Sequence, residues 1–117
     1  VRGTLREERR PEVFDPAGVF GHAKISGQAG VSDRAKVFDQ AEVSGHACVF
    51  GHAKVFGGAQ VYDRATVYGK AKVFEQAEVY GQAEVYGQAE VSGDAEVYGD
   101  AKVCGHDCVC DHAKVYV

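Results

Sequence analysis

Ala35-Lys36-Val37-Phe38, Ala53-Lys54-Val55-Phe56 and Ala71-Lys72-Val73-Phe74 are the same four residues met three times, eighteen positions apart. The stretch between two copies is filled by the same kind of unit. After Ala35–Gln40 come Ala41-Glu42-Val43-Ser44-Gly45-His46 and Ala47-Cys48-Val49-Phe50-Gly51-His52, each six residues long. The unit reads Ala-x-Val-x-(Gly/Asp)-x, and it extends in both directions from this stretch. Every sixth residue from Val13 to Val115 is Val, with Ile25 the one variant, and Ala stands two places before each from Ala17 to Ala113, except at Asp107. The second residue after the Val is Gly in eleven of the seventeen units from Val13 to Val109, Asp in five and Glu in one, so this position serves a backbone need rather than a packing one.

A six-residue period has few structural solutions. Side chains alternate faces along a strand, so Ala and Val point one way and the residues between them the other. Gly or Asp then supplies a corner, where unusual backbone angles cost little. Such a unit is too short for a hairpin or a helical crossover. Several units can instead close one coil, each strand pairing in parallel with the strand one coil above. The outward residue after each Val fixes the number of walls. At a spacing of eighteen, one column reads Phe20, Phe38, Phe56, Phe74, Ser92, Cys110 and a second reads Ser26, Ser44, Tyr62, Tyr80, Tyr98, Tyr116. The third reads Phe14, Ser32, Phe50, Tyr68, Tyr86, Cys104. Three units per coil stack like on like. The expected fold is all-β: a triangular parallel β-helix, or β-solenoid, of about six coils and roughly 28 Å long at ~4.8 Å per coil.

Composition agrees. With 45% hydrophobic and 26% charged residues the chain has the make-up of a folded domain, but it holds a single Leu (Leu5), no Met and no Trp, which excludes an ordinary helical bundle core. No apolar run approaches the ~18 residues of a membrane-spanning helix, and no secretory h-region is present. Residues 1–12 break the period and form a polar N-terminal segment, a cap or a tail, with Leu5 placed to plug the first coil; residues 13–117 form the array. A chain that starts at Val1 and lacks Met reads as a processed product or an excised piece. It ends inside a strand, at Val115, Tyr116 and Val117, which marks an axial end that a further molecule could continue.

The pattern resembles the hexapeptide-repeat proteins that form left-handed parallel β-helices, over Val13 to Val117. The resemblance implies the left-handed winding. It departs from the usual motif in one respect: Gly does not directly follow the aliphatic residue but comes one place later, behind an aromatic residue or Ser. In this the array looks like hexapeptide arrays of uncharacterised bacterial and phage proteins. Acyltransferases of that superfamily use a His general base, commonly with a loop that breaks the coil. Here His22, His46, His52, His106 and His112 all stand at corner positions and no insertion interrupts residues 13–117, so no catalytic residue is assigned. Family members similar to carbonic anhydrases bind zinc through three His at subunit interfaces, but these five do not converge within one chain.

Cys104, His106, Cys108, Cys110 and His112 are dense in potential metal ligands, yet Cys104 and Cys108 flank a corner and diverge. They stand as weak candidates for a site between molecules. Cys48 lies far from the rest, so no disulfide within the chain is expected. Asp107 puts a carboxylate where an inward Ala belongs, and burial without a partner would be expensive. No cofactor is expected.

Charge is divided along the array. Residues 13–72 hold seven Lys/Arg against five Asp/Glu, a balance of +2, and residues 73–117 hold two against nine, a balance of −7. Together with +1 from residues 1–12 these give the net −4. A rod of opposite polarity at its two ends favours head-to-tail contact. All twelve aromatic residues stand at outward positions. The ladders Phe20, Phe38, Phe56, Phe74 and Tyr62, Tyr80, Tyr98, Tyr116 are expected to leave apolar stripes that lateral packing would cover. Lys36, Lys54 and Lys72 run beside the Phe ladder.

The expected function is therefore structural: a subunit that partners itself, end to end and side to side, in a filament or fibre. The alternatives are a trimeric acyltransferase-like domain of a larger enzyme and a passive stalk. Neither nucleic acid, given an acidic chain whose basic residues make no dense patch, nor membrane insertion is expected. A processed fibre subunit would sit outside the cell or on a cell or virion surface, and any other product in the cytoplasm.

Overall fold

The computed structural model describes Glu12–Val13 and residues 18–117. The suggested cap, the Leu5 plug and the place of Phe14 in its column lie outside the described residues.

The coil is three-walled. The first wall stacks Glu12–Val13, Gly30–Val31, Cys48–Val49, Thr66–Val67, Glu84–Val85 and Lys102–Val103. The second stacks Gly18–Val19, Lys36–Val37, Lys54–Val55, Lys72–Val73, Glu90–Val91 and Cys108–Val109. The third stacks Lys24–Ile25, Glu42–Val43, Gln60–Val61, Glu78–Val79, Glu96–Tyr98 and Lys114–Tyr116. Every pairing is parallel and in register at eighteen, Val67 facing Val49 on one side and Val85 on the other. Glu12 already pairs with Gly30, one residue before the array was expected to begin.

The strands proper are two or three residues long. The ladder nevertheless runs around the corners, because amides outside the strands also donate to the next coil. Phe38 N–H reaches the Val55 carbonyl at 3.0 Å, and the corner amide of His46 reaches that of Asp63 at 2.7 Å. Corner and wall are thus tied to the neighbouring coil by the same kind of bond, which satisfies backbone groups that an isolated turn would leave to water.

The corners are four-residue turns closed by the inward residue that follows, as where Ala29 N–H donates to the Ser26 carbonyl at 3.3 Å and Asp107 N–H to that of Cys104 at 3.1 Å. The second residue of the turn is left-handed: eleven Gly, with φ from 64° to 71°, and Asp33, Asp39, Asp63, Glu75 and Asp111, with φ from 60° to 62°. The acidic residues do more than tolerate the angle. Asp33, Asp39 and Asp63 accept from the amides of Gly51, Gly57 and Gly81 at 3.2, 3.2 and 3.3 Å, and Glu75 accepts from Gly93 at 2.7 Å. A short acidic side chain therefore binds one coil to the next where Gly leaves an amide without that partner.

Inside, the core is Val and Ala alone, from Ala29 to Val103, with Val109 at its margin. β-Branched Val suits a pleated wall and fills a narrow prism that Leu would overfill. No polar or charged side chain is buried among the described residues. Asp107 departs from expectation: its side chain is exposed, with no further coil stacked on it among the described residues, so no buried unpaired carboxylate arises. Its backbone keeps register all the same, its carbonyl accepting from Glu90 at 2.9 Å.

Candidate functional site

With the core closed to everything but Val and Ala, chemistry is confined to the outward columns, one residue per coil. The aromatic columns form continuous stacks. Phe20, Phe38, Phe56 and Phe74 follow one another at centroid distances of 4.9–5.1 Å with planes within 4°. Tyr62, Tyr80, Tyr98 and Tyr116 do the same on the third wall, and Phe50, Tyr68 and Tyr86 on the first. Because each ring covers its neighbour's face, only ring edges look outward. The rings inside the ladders are half-buried, and Phe20 at 51% and Tyr116 at 63% are the exposed ones among those described. The apolar stripes are narrower than the sequence suggested, since stacking itself buries most of what they would expose.

The third wall adds a diagonal that column-by-column reading misses. Tyr62 Oη donates to Glu78 Oε1, and Tyr80 Oη to Glu96 Oε1, both at 3.2 Å. Burial, followed by the Glu96 hydrogen bond and charge, pushes Tyr80 up to about 12. Burial, then the charge and hydrogen bond of Glu78, raises Tyr62 as well. A phenol held above its ordinary value near 10 contributes stability that is whole below that pH and is lost as pH rises through the folded value. Unfolding midpoints in urea should therefore hold steady to pH ~10 and fall towards pH ~12. Tyr80→Phe should flatten the fall. A single phenolate absorbance step centred near pH ~10 would show that the diagonals exert no hold on these protons.

The five suggested metal ligands are brought to one end of the stack but not to one point. Cys104, Cys108, Cys110 and Cys48 are free thiols, and among the described residues no three of His, Cys, Asp or Glu converge. His112 instead meets Asp94 one coil below, Nδ1 to Oδ2 at 3.5 Å, an ionic contact only when the imidazole is protonated. His22, His46, His52 and His106 are exposed at the corners.

Two grooves run along the edges of the prism. Arg34, His52 and Lys70 from the edge between the first and second walls face Lys36, Lys54 and Lys72 from the second wall across a groove of about 480 Å³. Gln76 and Asp94 lie across from Gln60, Glu78 and Glu96 along a groove of about 490 Å³ one edge further round. The basic groove is a dense patch, contrary to the expectation from sequence. Its signal was present as two columns offset by two residues, 34/36, 52/54 and 70/72, but it becomes visible only when a corner column is read together with the wall beside it.

Residues 59–73 match the family model of the YdcK beta solenoid repeat. The matched segment contains Gln60–Val61, Thr66–Val67 and Lys72–Val73, one strand from each wall, so it samples the three-walled coil itself. No curated protein and no solved structure matches the chain. The chain is a β-solenoid repeat protein.

Proposed function

We propose that this protein is a structural, self-assembling β-solenoid, a stiff subunit that stacks head to tail into a filament or fibre and touches its neighbours laterally along the Phe and Tyr ladders. The observation that carries this reading is the uninterrupted ladder. From residue 18 to residue 117 no loop breaks a wall, and core, corner and outward columns all repeat at eighteen. Such a stack distributes stability along its axis and resists bending.

Polarity supports the axial contact. The positive balance of residues 13–72 and the strongly negative balance of residues 73–117 attract when two copies meet in the same direction and repel when like ends meet. A repeated heterologous contact that does not close yields a filament. Glu84, Glu90 and Glu96 occupy equivalent positions on the three walls of a single coil and ring the acidic half with negative charge.

Electron microscopy of the purified chain at low salt should show unbranched filaments that lengthen with concentration. Reversing Glu84, Glu90 and Glu96 to Lys together should shorten them or prevent their growth. Discrete trimers by light scattering, with no longer species, would support the acyltransferase-like alternative, and assembly unaffected by the triple reversal would remove the polarity argument.

A further inference from the structure

We propose that the basic groove binds an anionic polysaccharide, a chain of pyranose units bearing carboxylate or sulfate groups, laid along the prism axis between its two columns of cations. The reading does not depend on axial assembly, because the groove lies on a side of the rod.

Six groups line it: Arg34, Lys36, His52, Lys54, Lys70 and Lys72. Five carry permanent positive charge in a chain whose net charge is −4. The register is strict, Lys36 pairing with Lys54 and Lys54 with Lys72 across adjacent strands. Among the described residues the one ion pair joins His112 and Asp94, so none of the six groups is ion-paired with a carboxylate. Like charges one coil apart repel by up to about 1 kcal/mol per neighbouring pair at low salt, a cost that an arriving anion converts into attraction.

The geometry selects the anion. Cations recur once per coil, about every 4.8 Å, and an extended pyranose unit is about as long as one coil is tall. Acid groups of an extended pyranose ribbon alternate from side to side, so a chain lying in the groove turns them in succession to the edge column and to the wall column. The Arg34 fork suits a carboxylate or a sulfate, which can accept two parallel hydrogen bonds. Single-stranded nucleic acid fits less well. It gains affinity by stacking bases on aromatic faces, and in the Phe ladder beside the Lys column Phe38 and Phe56 have both faces covered by neighbouring rings. Phosphates along an extended strand are also set further apart than one coil. The cationic run spans three coils and ends where Glu90 follows Lys72 in the column, which sets the site at about three sugars.

Titration calorimetry with an oligomannuronate hexasaccharide and with a chondroitin sulfate hexasaccharide tests this and separates carboxylate from sulfate preference. Binding of at least one is expected at ~0.02 M salt and should be gone by ~0.5 M, where the screening length has shrunk to a few Å. Neutral cellohexaose should not bind. Lys54→Glu with Lys72→Glu should weaken binding at least about tenfold, while Lys24→Glu with Lys102→Glu, the same charge change away from the groove, should leave it within about twofold. Equal loss in both pairs of variants would mean that net charge alone is felt, and would overturn the site. Tighter binding of an oligothymidylate through Lys54 and Lys72 would assign the groove to nucleic acid instead. Low-salt self-association in ultracentrifugation that only the groove variants disperse would assign it to the acidic surface of a second copy.

Discussion

Ala71→Asp should cost this chain about 5 kcal/mol and abolish cooperative unfolding near room temperature, whereas Asp107→Ala should shift stability by less than ~1 kcal/mol. The two positions belong to one column: Ala53, Ala71, Ala89 and Asp107 hold the same place in successive coils of the second wall. At Asp107 the carboxylate is exposed to water. At Ala71 it would enter a core in which Ala53, Val55, Val73 and Ala89 are fully buried, with no donor inside the prism. Its position in the middle of the stack adds to the effect, because each coil is held by its neighbours and a broken centre leaves two short pieces near the minimum number of repeats that can stand alone. Circular dichroism during urea titration measures both variants. An Ala71→Asp chain within ~1 kcal/mol of the parent would mean that the interior admits water, against the closed core described above.

The comparison of these two residues shows what a repeat makes legible. Periodicity alone gives three walls, parallel pairing, the inward Ala and Val and the stacked rings, because each is a property of one column and a column is a single list of residues. Asp107 could be placed in its column but not judged, since its exposure depends on what lies above the last coil. Relations between columns were harder. The Tyr80–Glu96 diagonal crosses from one column to another at a separation of sixteen, and the basic groove joins an edge column to a wall column around a corner. Both recur at eighteen like the columns they join, but both require knowing how far a phenol or an ammonium reaches across a wall. The half-burial of the aromatic rings has the same origin, for the sequence shows that rings are stacked but not how much of each ring the next one hides.

The corners separate backbone demand from side-chain chemistry most sharply, and Gly69 gives the second large effect. Its φ is 70°, and a Cβ built there would lie 2.8 Å from the amide nitrogen of Gly87 and 3.1 Å from its carbonyl oxygen. Gly69→Val sets a β-branched residue in the left-handed region, for about 1–2 kcal/mol, and presses it against backbone that is itself hydrogen-bonded, for a further 1–3, so a loss of about 3 kcal/mol or more is expected. Gly69→Asp should cost under ~1 kcal/mol, because this fold already solves that problem elsewhere. At Asp33, one wall-turn column with Gly69, φ closes to 60° and Oδ2 accepts from the Gly51 amide at 3.2 Å. An Asp at position 69 can settle in the same way and take the Gly87 amide. Chemical denaturation of the two variants against the parent measures the difference. If Val and Asp prove equally costly, the acidic corners owe their place to something other than the bond they make to the next coil, and the five left-handed acidic residues would need another cause.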